Sequence, residues 1–422
     1  MKYTLMLKDK ELLKLNIDDT VKKVKAVGND QLLPFGLDDT TVSSVESWLS
    51  HRKVPKNRQY ASQIIATAGE GRFAFLNVSY GLSLNDAYWV RPDWLEKTWK
   101  DVNLYHHPFD KVLANIAFTG YSHKLKLLAT SPEYTTNGIQ KKSWSNRKNG
   151  IYLIKGRGMA GLQNLDYKKP DGRSEVFSEF YACQVAKKMG ISHIDYDIEE
   201  FHHEDGRKEL VSVCKLFTSE DIGYVPFSAF SKEIKGKSNE EIFAFLERMV
   251  GKDSLADIMV FDSIIYNQDR HLGNFGVLVE NDTKKVLGIA PVFDNGASLF
   301  CGLTPKGIEN LNDKVYGAPS IGNVWEMSFD DIGKRFLQDR HRPFLQSMTS
   351  FTFDRHPKYN IKEDTLVHIE NFLQSRCRFL LDNIKRKSVT KSIDKSKNRK
   401  SLKPKITVNL DDGNLSGPNG GK

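Results

Sequence analysis

Asp269 stands five residues before Asn274 in NQDRHLGN, and a further carboxylate, Asp294, follows in VFDNG. Carboxylate, amide and carboxylate in this order are groups that transfer of a γ-phosphoryl group needs. One carboxylate orients or deprotonates the acceptor hydroxyl. An Asn oxygen and a second carboxylate are hard ligands for a Mg²⁺ bridging the nucleotide phosphates. Because D-x-x-x-x-N is common in loops, its meaning rests on what flanks it. Before it, SLADIMVFDSIIYNQ (Ser254–Gln268) carries Leu255, Ile258, Met259, Phe261, Ile264 and Ile265 at helical spacing. After it, Phe275–Leu278, a polar turn at Asn281–Lys284 and Val286–Ile289 read as a β-hairpin, which returns Asp294 to Asn274.

Such a site requires cations upstream. Lys155 ends the apolar strand IYLIK (Ile151–Lys155), a place from which an ammonium reaches α- and β-phosphates at a cleft mouth. Val176–Met189 has helical periodicity, with Phe177, Phe180, Tyr181 and Val185 on one face and Gly190 as a stop. Glu179 on that helix is a partner for Lys155, with Glu175 one turn earlier as the alternative. Neither G-x-G-x-x-G nor G-x-x-x-x-G-K-[ST] occurs. TTNGIQKKS (Thr135–Ser143) offers Gly138, Gln140, Lys141, Lys142 and backbone amides as a phosphate cradle. It reads equally well as a polar hairpin turn marked by Asn-Gly.

The chain has 422 residues, of which 39% are hydrophobic and 27% charged, as in globular proteins of two or three domains. Its net charge of +9 is concentrated in Lys385–Lys405, which carries ten Lys/Arg against one Asp. The body is therefore almost neutral. The segment 385–422 is poor in apolar residues and reads as a disordered basic tail, with weak affinity for nucleic acid or anionic lipid. Four scattered cysteines without C-x-x-C pairing fit reduced thiols. The charged start MKYTLMLKDK lacks an apolar signal core, so the cytoplasm is the expected location.

Residues 1–120 form a first region, an N-terminal α/β subdomain. It contains strand-like runs at Tyr3–Leu7 and Arg72–Val78, a helix near Val42–Leu49, and three of the six tryptophans in Ala87–Phe109. That aromatic cluster reads as core or interdomain packing. Residues 121–218 read as a β-rich lobe with one main helix, including strands at Leu125–Ala129, Ile151–Lys155 and Val211–Phe217. Helical patterns dominate 219–384, with Glu240–Val250, Ser254–Gln268 and Glu363–Asn383 the clearest. The fold class expected is α+β: a bilobal, protein-kinase-like body behind an N-terminal subdomain.

GIQKKS, IYLIK, SEFYACQVAKKMG, NQDRHLGN and VFDNG together resemble the HipA-like serine/threonine kinases, the toxin kinases of HipA–HipB modules, over roughly 121–385. The resemblance implies ATP and Mg²⁺ as cofactors, with Asp269 as catalytic aspartate and Asn274 and Asp294 as metal ligands. It makes Lys155 the phosphate lysine, Val213–Phe217 (with Val213, Lys215 and Phe217) the adenine hinge, and Gly138–Ser143 the phosphate loop. It further implies autophosphorylation at Thr135, or next at Thr136. By the same resemblance the acceptor is a protein such as an aminoacyl-tRNA synthetase, and a HipB-like antitoxin is a partner. This sequence departs from the family at Arg270, where an acidic residue is common. DRH…N with Asp-Asn-Gly also resembles phosphoinositide kinases, a lipid-directed alternative; a pseudokinase scaffold is the non-enzymatic one. No helix-turn-helix is apparent in the sequence.

Overall fold

The computed structural model describes residues 1–123, 130–158, 174–301 and 325–400, with side chains as far as 384. Strands β1 (Lys2–Leu7), β2 (Lys10–Ile17), β3 (Val21–Ala26) and β4 (Tyr88–Pro92) form an antiparallel sheet in the order β3-β2-β1-β4. The inner strand β1 is buried on both faces, whereas the edge strand β3 exposes Lys22, Lys23 and Lys25, which blunts it against further pairing. Helix α1 (Val42–Arg52) starts where the Thr41 hydroxyl accepts from the Ser44 amide. The expected strand at Arg72–Val78 is not formed: the chain turns and makes the short helix α2 (Phe75–Ser79). Phe73 and Phe75 alternate as in a strand, but the position beside β1 belongs to β4. One helical turn instead buries Phe75 and Leu76 side by side. Of the three clustered tryptophans, Trp89 and Trp99 are buried and donate to Lys8 O and Glu220 Oε1, while Trp94 is exposed.

A second sheet has the order β5-β6-β8-β7, from β5 (Lys142–Arg147), β6 (Gly150–Lys155), β7 (Tyr196–His202) and β8 (Lys208–Lys215). Its hairpin turn lies at Lys148–Asn149, since Arg147 pairs with Gly150. Asn137–Gly138 therefore sits in the loop entering β5, and the hairpin-turn reading of that segment is corrected. Helix α3 (Lys111–Thr119) covers one face of this sheet through Phe118, packed with Val211 and Val213. The other face, carrying Leu153 and Cys214, meets α4 (Glu175–Met189) and Phe293. The expected strand at Leu125–Ala129 lies outside the described residues.

Helix α4 is capped by Ser174 and ended by Gly190 at φ +73. Its residues Val176, Phe177, Tyr181 and Val185 enter the large core of the helical lobe. That core is closed by α5 (Asn239–Val250), α6 (Lys252–Ile265), α7 (Phe329–Phe336) and α8 (Glu363–Lys400). Helix α6 stops short of the expected Gln268, because Tyr266 turns left-handed at φ +52 and frees the following residues as a loop. Beyond it, β10 (Gly276–Glu280) and β11 (Val286–Ile289) form the expected hairpin, and β9 (Ile222–Pro226) pairs with β10. A Cβ at Gly276 would lie 2.1 Å from Val225 O, so only glycine allows β9 and β10 to approach here. Helix α8 continues to Lys400, into the first part of the basic tail. Its buried residues Leu366, Leu373, Leu380 and Ile384 nucleate a helix that the lysine-rich sequence, a good helix former, prolongs. Among the described residues no helix is long and apolar enough to cross a membrane.

Candidate active site

Lys155 leaves the end of β6 on the face shared with α4, and its buried ammonium lies 2.5 Å from Glu179 Oε1 and 2.5 Å from Asp294 Oδ1. Glu179 rather than Glu175 thus takes the lysine. Its second oxygen accepts from the Asn295 amide at 2.8 Å, joining α4 to the Asp-Asn-Gly turn. Glu175 packs instead against Gly296, where a Cβ would lie 3.0 Å from its own. Burial alone would lower the Lys155 pKa, but Asp294 and Glu179 outweigh it and hold the ammonium well above its ordinary value. Burial likewise opposes ionisation of Asp294, and Lys155 and then Lys142 reverse that, keeping the carboxylate far below its usual range. Asp294 has φ +55, an uncommon conformation for a non-glycine residue, and its amide donates to the Tyr196 hydroxyl at 3.2 Å.

Asp269 and Asn274 occupy the loop after α6. The Asn274 Nδ2 donates to Asp269 O at 2.9 Å, so its Oδ1 is the end left for a cation. The Asp269 carboxylate is half-exposed, with His271 Nε2 at 4.0 Å as its ionic neighbour. Partial burial raises its pKa and Asp294 adds to this, against the pull of His271. A carboxylate so placed is readier to accept a proton than one in open water.

Arg270 fastens the two halves. Its buried guanidinium donates to Asp262 Oδ2 (3.0 Å) and Oδ1 (3.1 Å) on α6, to Asn274 O (2.9 Å) and Phe293 O (2.7 Å), and to Asn295 Oδ1 (2.5 Å). The loop residue and the hairpin residue that the sequence separates are thus held by one side chain.

The loop entering β5 lies over this cluster. Lys142 pairs across the strands with Lys155, and its buried ammonium donates to Asn137 O at 2.9 Å. Gly138, at φ +94, makes this possible, since a Cβ there would lie 2.2 Å from Lys142 Nζ. Burial pushes the Lys142 pKa down to about 8, with Asp294 opposing and Lys155 reinforcing. The sequence offered Lys141 beside Lys142, and strand alternation turns Lys141 to the opposite face. There its ammonium binds Glu209 at 2.6 Å and lies over the Phe118 ring. Gln140 lies beside Gly158 and Glu175. Among the described residues, the amides of Gly138, Ile139 and Gln140 donate to no atom of the chain, which suits them to phosphate oxygens.

The other expected residues are placed less centrally. Val213 and Lys215 lie on inner strand β8, paired with β6 and, at Val213, also with β7, and they face away from Lys155. Cys214 between them faces the α4 side. Phe217 packs on Phe293 and Tyr224 beside Asp294. The Thr135 hydroxyl is buried and donates to Leu82 O at 2.7 Å, and that of Thr136 donates to Pro132 O at 2.7 Å. Of Lys142, Arg270 and Tyr196, the sequence offered the first only beside Lys141 and gave the other two no part in the site. Register with Lys155 could have found the first; an arginine inside a polar loop gives no sign of burial.

A pH dependence follows from Lys142. Below about pH 8 its ammonium is charged and attracts phosphate; above it, the charge is lost. The Michaelis constant for ATP is expected to rise as pH increases through that value, and Lys142→Met to give a high constant with a flattened profile. Initial rates against ATP at a series of pH values check this.

No family model matches the chain. Over 173 residues, 36% of this chain and 51% of the other, the sequence is 29% identical to the serine/threonine-protein kinase CtkA of Helicobacter pylori. The chain is a relative of a serine/threonine kinase. It spans about half the length of that relative. The crystal structure of a H. pylori proinflammatory kinase CtkA aligns with TM-score 0.45 and 18% identity, over 60% of this chain and 95% of that one. HipA of Shewanella oneidensis MR-1, solved with HipB and operator DNA, aligns with TM-score 0.49 and 15% identity, over 89% and 96%. The four-stranded sheet with α4, the helices that follow it and the N-terminal sheet make the α+β fold expected.

Proposed function

We propose that this protein is an ATP- and Mg²⁺-dependent serine/threonine kinase of HipA-like type. The observation that carries the reading is Lys155, bonded at once to Glu179 and Asp294, with Arg270 holding the Asp269–Asn274 loop against the same turn. The donor set fits the metal: Asn274 Oδ1 and the Asp294 carboxylate are hard oxygen ligands. Bound Mg²⁺ would neutralise charge on the nucleotide phosphates. Asp269 orients the acceptor hydroxyl and takes its proton as the oxygen–phosphorus bond forms and the bond to ADP breaks. Lys155 and Lys142 balance the phosphate charge, and the amides of 138–140 cradle it. Transfer to Thr135 or Thr136 requires the loop to leave its site, because both hydroxyls are bonded within it. The resemblance points to a protein acceptor, such as an aminoacyl-tRNA synthetase, and to an antitoxin of HipB type as partner.

The test is incubation with γ-labelled ATP and Mg²⁺, with and without phosphatidylinositol vesicles, followed by phosphosite mass spectrometry. Label on the chain or on a protein acceptor is expected. Label on lipid would instead favour the phosphoinositide-kinase alternative, and nucleotide binding without any transfer the scaffold.

A further inference from the structure

Arg58 belongs to the N-terminal region, yet its guanidinium is wholly buried in the loop that enters β5. It donates to Thr136 O at 3.0 Å and Lys142 O at 2.7 Å, and pairs with Glu133 Oε2 at 3.3 Å. Glu133 is itself fully buried, and its other oxygen accepts from the Trp144 amide at 2.7 Å. The neighbours of Arg58 do the same work: the Val54 amide donates to Tyr134 O at 2.7 Å and the Gln59 amide to Ile139 O at 2.9 Å. Four carbonyls of the loop, at 134, 136, 139 and 142, are therefore held by residues 54, 58 and 59. With the carbonyls turned to that segment, the amides of 138–140 are left for an anion. Lys142, whose carbonyl Arg58 grips, carries the ammonium next to Lys155 and Asp294.

The opposite wall of the cleft is held from the helical lobe instead. Helix α4 is embedded in the core of the helical lobe. It is clasped from behind by Gln184, bonded to Asp354 O (3.1 Å) and N (2.8 Å), and by the Tyr181 hydroxyl on Asn360 Oδ1 (3.0 Å). Glu179 is thereby fixed from the helical lobe, and the loop that faces it is fixed from residues 54, 58 and 59. A buried ion pair is a poor source of net stability but a strong determinant of geometry once its remaining donors are matched.

We infer that Arg58 is a positioning residue for nucleotide: the N-terminal region sets ATP affinity by holding the phosphate loop and Lys142 over the Lys155–Asp294 pair. This rests on the kinase reading and assigns the N-terminal region a part in it. Arg58→Lys keeps the charge opposite Glu133, but a single ammonium cannot also span the carbonyls of Thr136 and Lys142. Losing those charge-assisted bonds corresponds to about a tenfold weakening.

The test is calorimetric binding of ATP·Mg²⁺ to the full chain, with kinetics and thermal unfolding alongside. For Arg58→Lys the dissociation constant is expected to rise about tenfold, with kcat at saturating ATP falling by no more than about twofold. Where that variant is not recovered folded, Glu133→Gln, which keeps an acceptor for the Trp144 amide, must shift the constant the same way. A folded variant with wild-type affinity overturns the inference and leaves the kinase reading intact, and so does a parallel loss of affinity, kcat and melting temperature. A wild-type chain that binds no nucleotide sinks both.

Discussion

Asp269→Asn is expected to slow phosphoryl transfer about 10²- to 10⁴-fold, the range that a positioned general base supplies, while ATP affinity stays within a few-fold. The split follows from the geometry. Asn274 is held by the Asp269 backbone carbonyl and not by its side chain, so the metal-facing amide keeps its place when the carboxylate is replaced. The Asp269 amide still donates to Asn267 Oδ1 at 3.1 Å, which preserves the loop's first turn. The ionic neighbour lost is half-exposed His271 at 4.0 Å, a contact of little weight for stability. Single-turnover transfer from labelled ATP, beside nucleotide titration and a melting curve, checks the prediction. Full transfer by the variant would remove Asp269 from the chemistry, and a collapse of ATP binding would make it a binding residue instead.

Much of this site was readable because it depends on local spacing. A helix followed by a polar loop and a hairpin brings Asp294 to Asn274 whatever the remainder of the chain does, and alternation along β6 places Lys155 on the α4 side. The strongly periodic stretches, Val176–Met189 and Glu240–Val250, became helices with nearly the expected bounds. What failed depended on distant partners. Arg72–Val78 alternates like a strand, but the place beside β1 is taken by β4. Lys141 and Lys142 are equivalent as letters, and only the register of β5 on β6 decides which meets Asp294. Val213 and Lys215 were assigned to the hinge from the resemblance; Val213 is paired on both sides, whereas Lys215 is paired with β6 alone. Arg58 lies 75 residues before its partner Glu133, a separation at which sequence patterns carry no contact information.

Removing Arg270 is expected to cost both stability and catalysis, and the two losses can be separated. Its five N–H groups reach five acceptors, so no shorter or singly charged side chain can replace it. Arg270→Met leaves the Asp262 carboxylate buried, with the Asn267 amide at 3.1 Å as its remaining partner. Stranding one member of a buried ion pair costs about 3–5 kcal/mol, to be read as a fall in the urea midpoint. A second change, Asp262→Asn, removes the stranded charge and should return much of that stability. It does not restore the bonds to Asn274 O, Phe293 O and Asn295 Oδ1, by which Arg270 ties the loop to the segment carrying Asp294. Transfer by Arg270→Met/Asp262→Asn is therefore expected to remain depressed about 100-fold, since small displacements of positioned groups have effects of that size. If the double variant regains activity along with its stability, Arg270 serves the fold only. If stability returns and activity does not, the guanidinium is what aligns Asn274 with Asp294.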